Sequence, residues 1–158
     1  MIAAAVHNGD VSKAFTKEDG PAEPPVPRRR APLPAGVPNY VTPRGLQALR
    51  AELAAAEPGA RRSELERRIA AAVPAPPPAD RNEIRFGARV TMRDRNGELR
   101  QVQIVGVDEA SPAAGLIAFV APLARALLGR RVGDLVIARA PGGSDELEVV
   151  TIDYDDDA

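Results

Sequence analysis

The chain has no cysteine, no tryptophan and a single histidine, His7, in 158 residues. Without cysteine there are no disulfides, no thiol chemistry and no Cys-ligated zinc. The redox compartment is therefore unreadable. One histidine in an otherwise unpatterned arm argues against imidazole catalysis and against His-based metal sites. Five aromatics are present, Phe15, Tyr40, Phe86, Phe119 and Tyr154. Any core must therefore be built from Val, Ile, Leu and Ala. Lysine stops at Lys17, and every later cation is Arg. A formal net charge of −1 excludes a strongly basic binder that works through many phosphate contacts. No apolar run approaches the ~20 residues that span a bilayer. Met1–Gly9 lacks the basic flank and cleavage site of a signal peptide. These absences predict a cytoplasmic protein with no metal, no cofactor, no catalytic residues and no membrane contact.

Proline, by contrast, is abundant and clustered. There are 16, with eight from Pro21 to Pro43 and four from Pro74 to Pro78. Residues 1–38 combine Pro, charge and small side chains without an apolar period, which predicts a disordered Pro-rich arm. Pro24 to Pro34, around Arg28-Arg29-Arg30, favours extended polyproline II. Residues 39–73 read as a short antiparallel helical hairpin. Thr42 is an N-cap and Pro43 fits the first helical turn. Leu46, Leu49 and Leu53 then fall on one face. Glu57-Pro58-Gly59 breaks the helix. A second helix is predicted from Ser63, with Ser63 and Glu66 as a capping box and Leu65, Ile69, Ala72 and Val73 as its apolar face. At 1.5 Å per residue each helix is ~22 Å long. Residues 74–82 are a stiff Pro-rich linker.

From Ile84 the period becomes strand-like. Asp94-Arg95-Asn96-Gly97 carries an Asn-Gly hairpin signal between a strand at Val90 and a return strand over 99–107. Further strands are predicted over 116–120, 135–139 and 146–154. One short helix begins at Pro122 and ends before Gly129. Residues 83–154 thus form a small antiparallel β-domain with one short helix, the whole being α+β. Residues 155–158 are an acidic tail.

Charge is polarised along the chain. Residues 61–100 hold ten arginines against six acids, and from Gly133 onward eight acids stand against Arg139. Arg61, Arg62, Arg67 and Arg68 form a candidate face toward nucleic acid, through weak or indirect contact. Solvated charge paired internally is the competing reading. Aromatics are not interleaved with this cluster, which argues against a stacking platform for single strands. Pro141-Gly142-Gly143-Ser144 lacks the Gly-Lys-Ser/Thr ending of a P-loop and reads as a turn.

The order of parts resembles the GreA/GreB transcript-cleavage factors of bacterial RNA polymerase. The resemblance rests on Asn39-Tyr40-Val41-Thr42-Pro43-Arg44-Gly45-Leu46, Phe86-Gly87-Ala88 and Ile104-Val105-Gly106-Val107-Asp108-Glu109. It continues in Pro122-Leu123-Ala124-Arg125-Ala126-Leu127-Leu128-Gly129, Val132-Gly133-Asp134 and Glu148 to Tyr154. Val11-Ser12-Lys13-Ala14-Phe15 looks like the start of related proteins, which implies a natural start at Val11; a native peptide spanning His7 to Lys13 would refute it. The family implies an FKBP-like C-terminal domain that docks at the rim of the polymerase secondary channel. It also implies a long helical hairpin whose acidic tip helps hold the second Mg²⁺.

This chain departs from the family at the tip. Residues 54–63 offer one carboxylate, Glu57, followed by Arg61 and Arg62. Nearby cations oppose metal binding. The docking implied by the resemblance falls on Phe119, Val120, Pro122 and Leu123, where Val120 and Ala121 replace the family's polar pair. The expectation is a monomeric, non-enzymatic partner of core RNA polymerase that regulates elongation without stimulating cleavage. Three alternatives are weighed beside it. One is a regulator of nucleoside diphosphate kinase, which shares the domain plan. Another is a prolyl isomerase, for which Phe86, Phe119 and Tyr154 are too few to line a pocket. The third is a scaffold that binds through its Pro-rich arm.

Overall fold

The computed structural model describes residues 30–140 and 142–155. Expectations for residues 1–29 and for Asp156 to Ala158 lie outside them. The described chain is a mixture of helix and sheet. β1 (Asn39–Val41) leads into α1 (Pro43–Ala55), and α2 (Ala60–Ala71) leads into β2 (Ala72–Pro74). β1 and β2 pair in parallel, Asn39 with Ala72 and Val41 with Pro74. The remaining strands are β3 (Arg89–Arg93), β4 (Leu99–Val105), β5 (Leu116–Ala118), β6 (Leu135–Ala140) and β7 (Gly143–Asp153), with α3 (Pro122–Leu127) between β5 and β6. They form one sheet in the order β5-β4-β3-β7-β6.

Helix α1 starts as its sequence dictates. Thr42 is extended (φ −76°, ψ 155°), and its hydroxyl accepts from the Gly45 N–H at 3.0 Å, with Pro43 in the first turn. α1 stops at Ala55, before Glu57-Pro58. α2 starts earlier than the capping box predicts. It begins at Ala60 behind Gly59, with no side-chain cap. The Ser63 N–H donates to the Gly59 carbonyl at 3.1 Å, so the donor a box would satisfy is already bonded within the helix. α2 also ends sooner than its apolar positions suggest. Ala72 and Val73 belong to β2, and Val73 is exposed. The helices have 13 and 12 residues, about 20 and 18 Å.

The Asn-Gly turn differs in kind from the two-residue hairpin. Asp94 and Glu98 close a three-residue loop, with the Asp94 N–H on the Glu98 carbonyl at 2.9 Å. The Asp94 carboxylate accepts from the Asn96 and Glu98 N–H groups at 2.8 and 2.9 Å. Only Gly97 takes positive φ, at 83°, as a type I turn with a glycine bulge requires.

The sheet is not wholly antiparallel, as the strand pattern had implied. β4 and β5 pair in parallel, Gln103 with Leu116 and Val105 with Ala118. The reason is the connection: residues 106–115 include a 3₁₀ turn at Pro112–Ala114, and parallel neighbours need a crossover rather than a tight turn. A bulge between Thr91 and Met92 shifts the register of β3 against β7. The core lies between the sheet and α3, built from Ile84, Val90, Met92, Ile104, Ala124, Leu127, Val136, Leu147 and Val149. Among the described residues no helix is long and apolar enough to cross a membrane.

Candidate functional site

Two places hold the residues the sequence singles out, the corner before α3 and the arginine face of α2; a third, the junction between the helix pair and the sheet, emerges from the structure.

The corner spans 119–123. The Phe119 N–H donates to the Val105 carbonyl at 2.9 Å, and the Ala121 N–H to the Ala118 carbonyl at 2.8 Å. These bonds turn the chain from β5 into α3, where Ala121 is the N-cap and Pro122 follows. Pro122 is exposed and Val120 half-buried. Phe119 and Leu123 are half-buried and pack on the core. The four candidates are therefore contiguous, but Val120 and Pro122 contribute accessible apolar surface with fewer internal duties. The Phe119 ring also meets Phe86 and Tyr40, with centroids 5.6 and 5.9 Å away, and Tyr40 meets Phe86 at 5.9 Å. Such tilted and edge-to-face pairs suit the ring quadrupoles. The two phenylalanines thus clamp the tyrosine of β1. Tyr154 donates to the Glu83 carbonyl and accepts from the Arg85 N–H at 2.9 Å; burial pushes its phenol above the usual range.

On α2 most of the arginine charge is already spoken for. Arg61 pairs with Glu52 and, at 3.5 Å, with Glu64. Arg62 pairs with Glu66 at 3.3 Å. Arg68 pairs with Glu64 and approaches Asp108 at 3.8 Å. Arg67 is the one of the four with no carboxylate partner among the described residues; its Nε donates to the Ser63 carbonyl at 3.4 Å. The Arg68 guanidinium, with Arg61 behind it, holds the Glu64 carboxyl below the ordinary carboxylate range. Glu57, the lone tip acid, is exposed.

The junction is the feature sequence reading missed. Glu109 lies in the segment after β4, yet its carboxylate serves the start of α1. It accepts from the Thr42 N–H at 3.0 Å, from the Thr42 hydroxyl, and from the Gly106 N–H at 2.9 Å. In a capping box the third helical residue supplies that acid. Here that residue is Gly45, and a Cβ on it would stand 1.9 Å from Glu109 Oε1. The cap is therefore supplied from 67 residues away, and it puts a negative charge at a helix N-terminus, where the dipole favours it. Gly106 plays the reciprocal part, since its Cβ would meet the Tyr40 carbonyl oxygen at 2.2 Å. Beside it, Asp108 has a fully buried side chain. It accepts from Asn39 Nδ2 at 3.0 Å and pairs with Arg30 at 2.9 Å. A glycine at the third position of α1 and another between Val105 and Val107 were the available signals.

Residues 78–154 match the family model described as "Transcription elongation factor, GreA/GreB, C-term". Over this segment the chain is similar to the C-terminal part of GreA and GreB factors. Transcription elongation factor GreB of Xanthomonas axonopodis pv. citri is 45% identical over 78 residues, which are 49% of this chain and 46% of that protein. Transcription elongation factor GreA of Alkalilimnicola ehrlichii is 47% identical over 70 residues, 44% of each. The chain thus spans about half the length of the curated GreA and GreB relatives it matches. A solved GreA/GreB structure from Nitrosomonas europaea overlaps 75% of this chain and 99% of its own, at 21% identity and a TM-score of 0.45. The corner, Glu109 and the β6–β7 hairpin all lie inside the Gre-type segment; the helix pair lies before it.

Proposed function

We propose that this protein binds core RNA polymerase and regulates elongation without stimulating transcript cleavage. It acts by docking rather than by catalysis. The observation that carries the reading is the family match over 78–154, which includes the whole corner at Phe119, Val120, Pro122 and Leu123. In this reading the C-terminal domain is FKBP-like and seats that corner on the rim of the secondary channel. The helix pair then points inward as a short hairpin. Helices of about 20 Å stop short of the catalytic metals. The tip chemistry supports the same conclusion. Glu57 is the only acid from Ala56 to Gly59, while Glu52 is paired with Arg61. A hard divalent cation needs several converging oxygens, and this tip supplies one.

Comigration with purified core polymerase tests the docking. Binding is expected, with competition by excess GreA-type factor. Val120→Asp with Pro122→Ala should abolish it while leaving the fold intact, because neither side chain is fully buried. Stalled complexes should show no added cleavage. Failure of the wild-type chain to comigrate would sink the docking, and robust cleavage stimulation would sink the account of the tip.

A further inference from the structure

Five large apolar side chains are exposed in the described residues, and three sit together: Val132, Leu135 and Ile137, at 58, 59 and 60% exposure. Leu135 and Ile137 lie on the outer face of β6, which is an edge strand of the sheet. Alternate residues of an antiparallel strand turn their backbone groups to the same neighbour. The Val149 N–H donates to the Asp134 carbonyl, so the even-numbered residues face β7. Leu135, Ile137 and Arg139 then present their N–H and C=O groups to the free edge. Natural edges are usually blunted by proline, lysine, bulges or brevity. From Val132 to Arg139 there is no proline or lysine, and the β6–β7 register runs without a shift from Leu135 to Ala140. The opposite edge is guarded: β5 has three residues, and Ser111 folds back to bridge Leu116.

We infer that β6 is a self-association edge, and that its occupant is β6 of a second copy, antiparallel across a twofold at Ile137. Charge complementarity selects this occupant. The twofold sets Ile137 against Ile137 and Leu135 against Arg139 of the second copy. Leu135 is itself paired with Glu148 on β7. Arg139 of one copy therefore lies two strand spacings, about 10 Å, from Glu148 of the other, which the two side chains together span; Glu148 also pairs with Arg93 of its own copy at 3.6 Å, so Arg139 would be its second cation. Among the described residues Arg139 has no ion-pair partner of its own. The same register satisfies every outward N–H and C=O of Leu135, Ile137 and Arg139. This revises the monomer expected from sequence and stands independently of polymerase docking.

The lack of cysteine makes the test direct. Sedimentation of the full chain should show a concentration-dependent doubling of mass, and Ile137→Lys should stay monomeric with unchanged circular dichroism. Mild oxidation of Ile137→Cys should yield a covalent dimer, because hydrogen-bonded antiparallel partners have Cα atoms about 5.5 Å apart, within disulfide reach. Arg139→Cys, which faces Leu135 rather than itself, should not cross-link. A single monomeric species up to the solubility limit would overturn the proposal. So would equal cross-linking of the two cysteine variants. Loss of polymerase comigration in Ile137→Lys, with the free chain monomeric, would assign the edge to polymerase and overturn it as well.

Discussion

The sheet and the helix pair are held by different forces. The sheet buries a continuous apolar cluster from Ile84 to Val149 against α3. The helix pair buries little: Val41, Leu49 and Leu65 are its buried large apolar residues. It depends instead on polar fastenings, with Glu109 on the start of α1 and Asp108 on Asn39 and Arg30. Two short helices are marginal alone, so their order is borrowed from the sheet. The apolar effect sums over many contacts, whereas a carboxylate cap is a single point of failure.

The largest effect that would sharpen this contrast is Leu127→Ala. Removing a fully buried leucine should cost about 3 kcal/mol and lower the denaturation midpoint of both regions together. Glu109→Ala should cost about 2 kcal/mol, through lost charged hydrogen bonds and stranded donors. Its signature is selectivity: amide exchange should rise over 39–74 while β3 and β7 stay protected. Equal loss in both regions would erase the distinction. Gly45→Ala should cost less, about 1 kcal/mol, since the helix propensity gained offsets part of the displacement of Glu109. In any other first turn of an exposed helix the same change would stabilise. The smallest effect is acid sensitivity on α2. Glu64 is held below the ordinary carboxylate range, chiefly by Arg68. Its contribution is complete above that range and is lost as pH falls through the folded value. Glu64→Gln should therefore flatten the acid limb of thermal stability slightly.

Local signals carried most of the fold. Thr42-Pro43 marks the start of α1 because cap and first turn are neighbours in sequence. The alternation at Val90 and Met92 marks β3 because its partners share one face. Ser63 misled because a capping-box pattern does not know that Gly59 has already started the helix. The parallel β4–β5 pair was hidden because a loop's length does not declare the direction of its return. Within the candidate site, the corner at 119–123 was legible as contiguous residues. The Glu109 cap was not, since its donor and acceptor are 67 residues apart in sequence. The exposed face of β6 was also overlooked, because a Leu-Val-Ile run does not declare which side is bare: Val136 is buried while Leu135 and Ile137 point outward.

The glycine at position 45 has a consequence for transplantation. A foreign helix pair cannot simply be grafted onto this sheet as a module. The graft has to bring a residue without a Cβ at the place of Gly45 and a hydroxyl at the place of Thr42, and the recipient has to keep Gly106 and Glu109. The two halves of the chain are thus matched like key and lock plate, and an exchange of either half keeps this joint only where both plates come together.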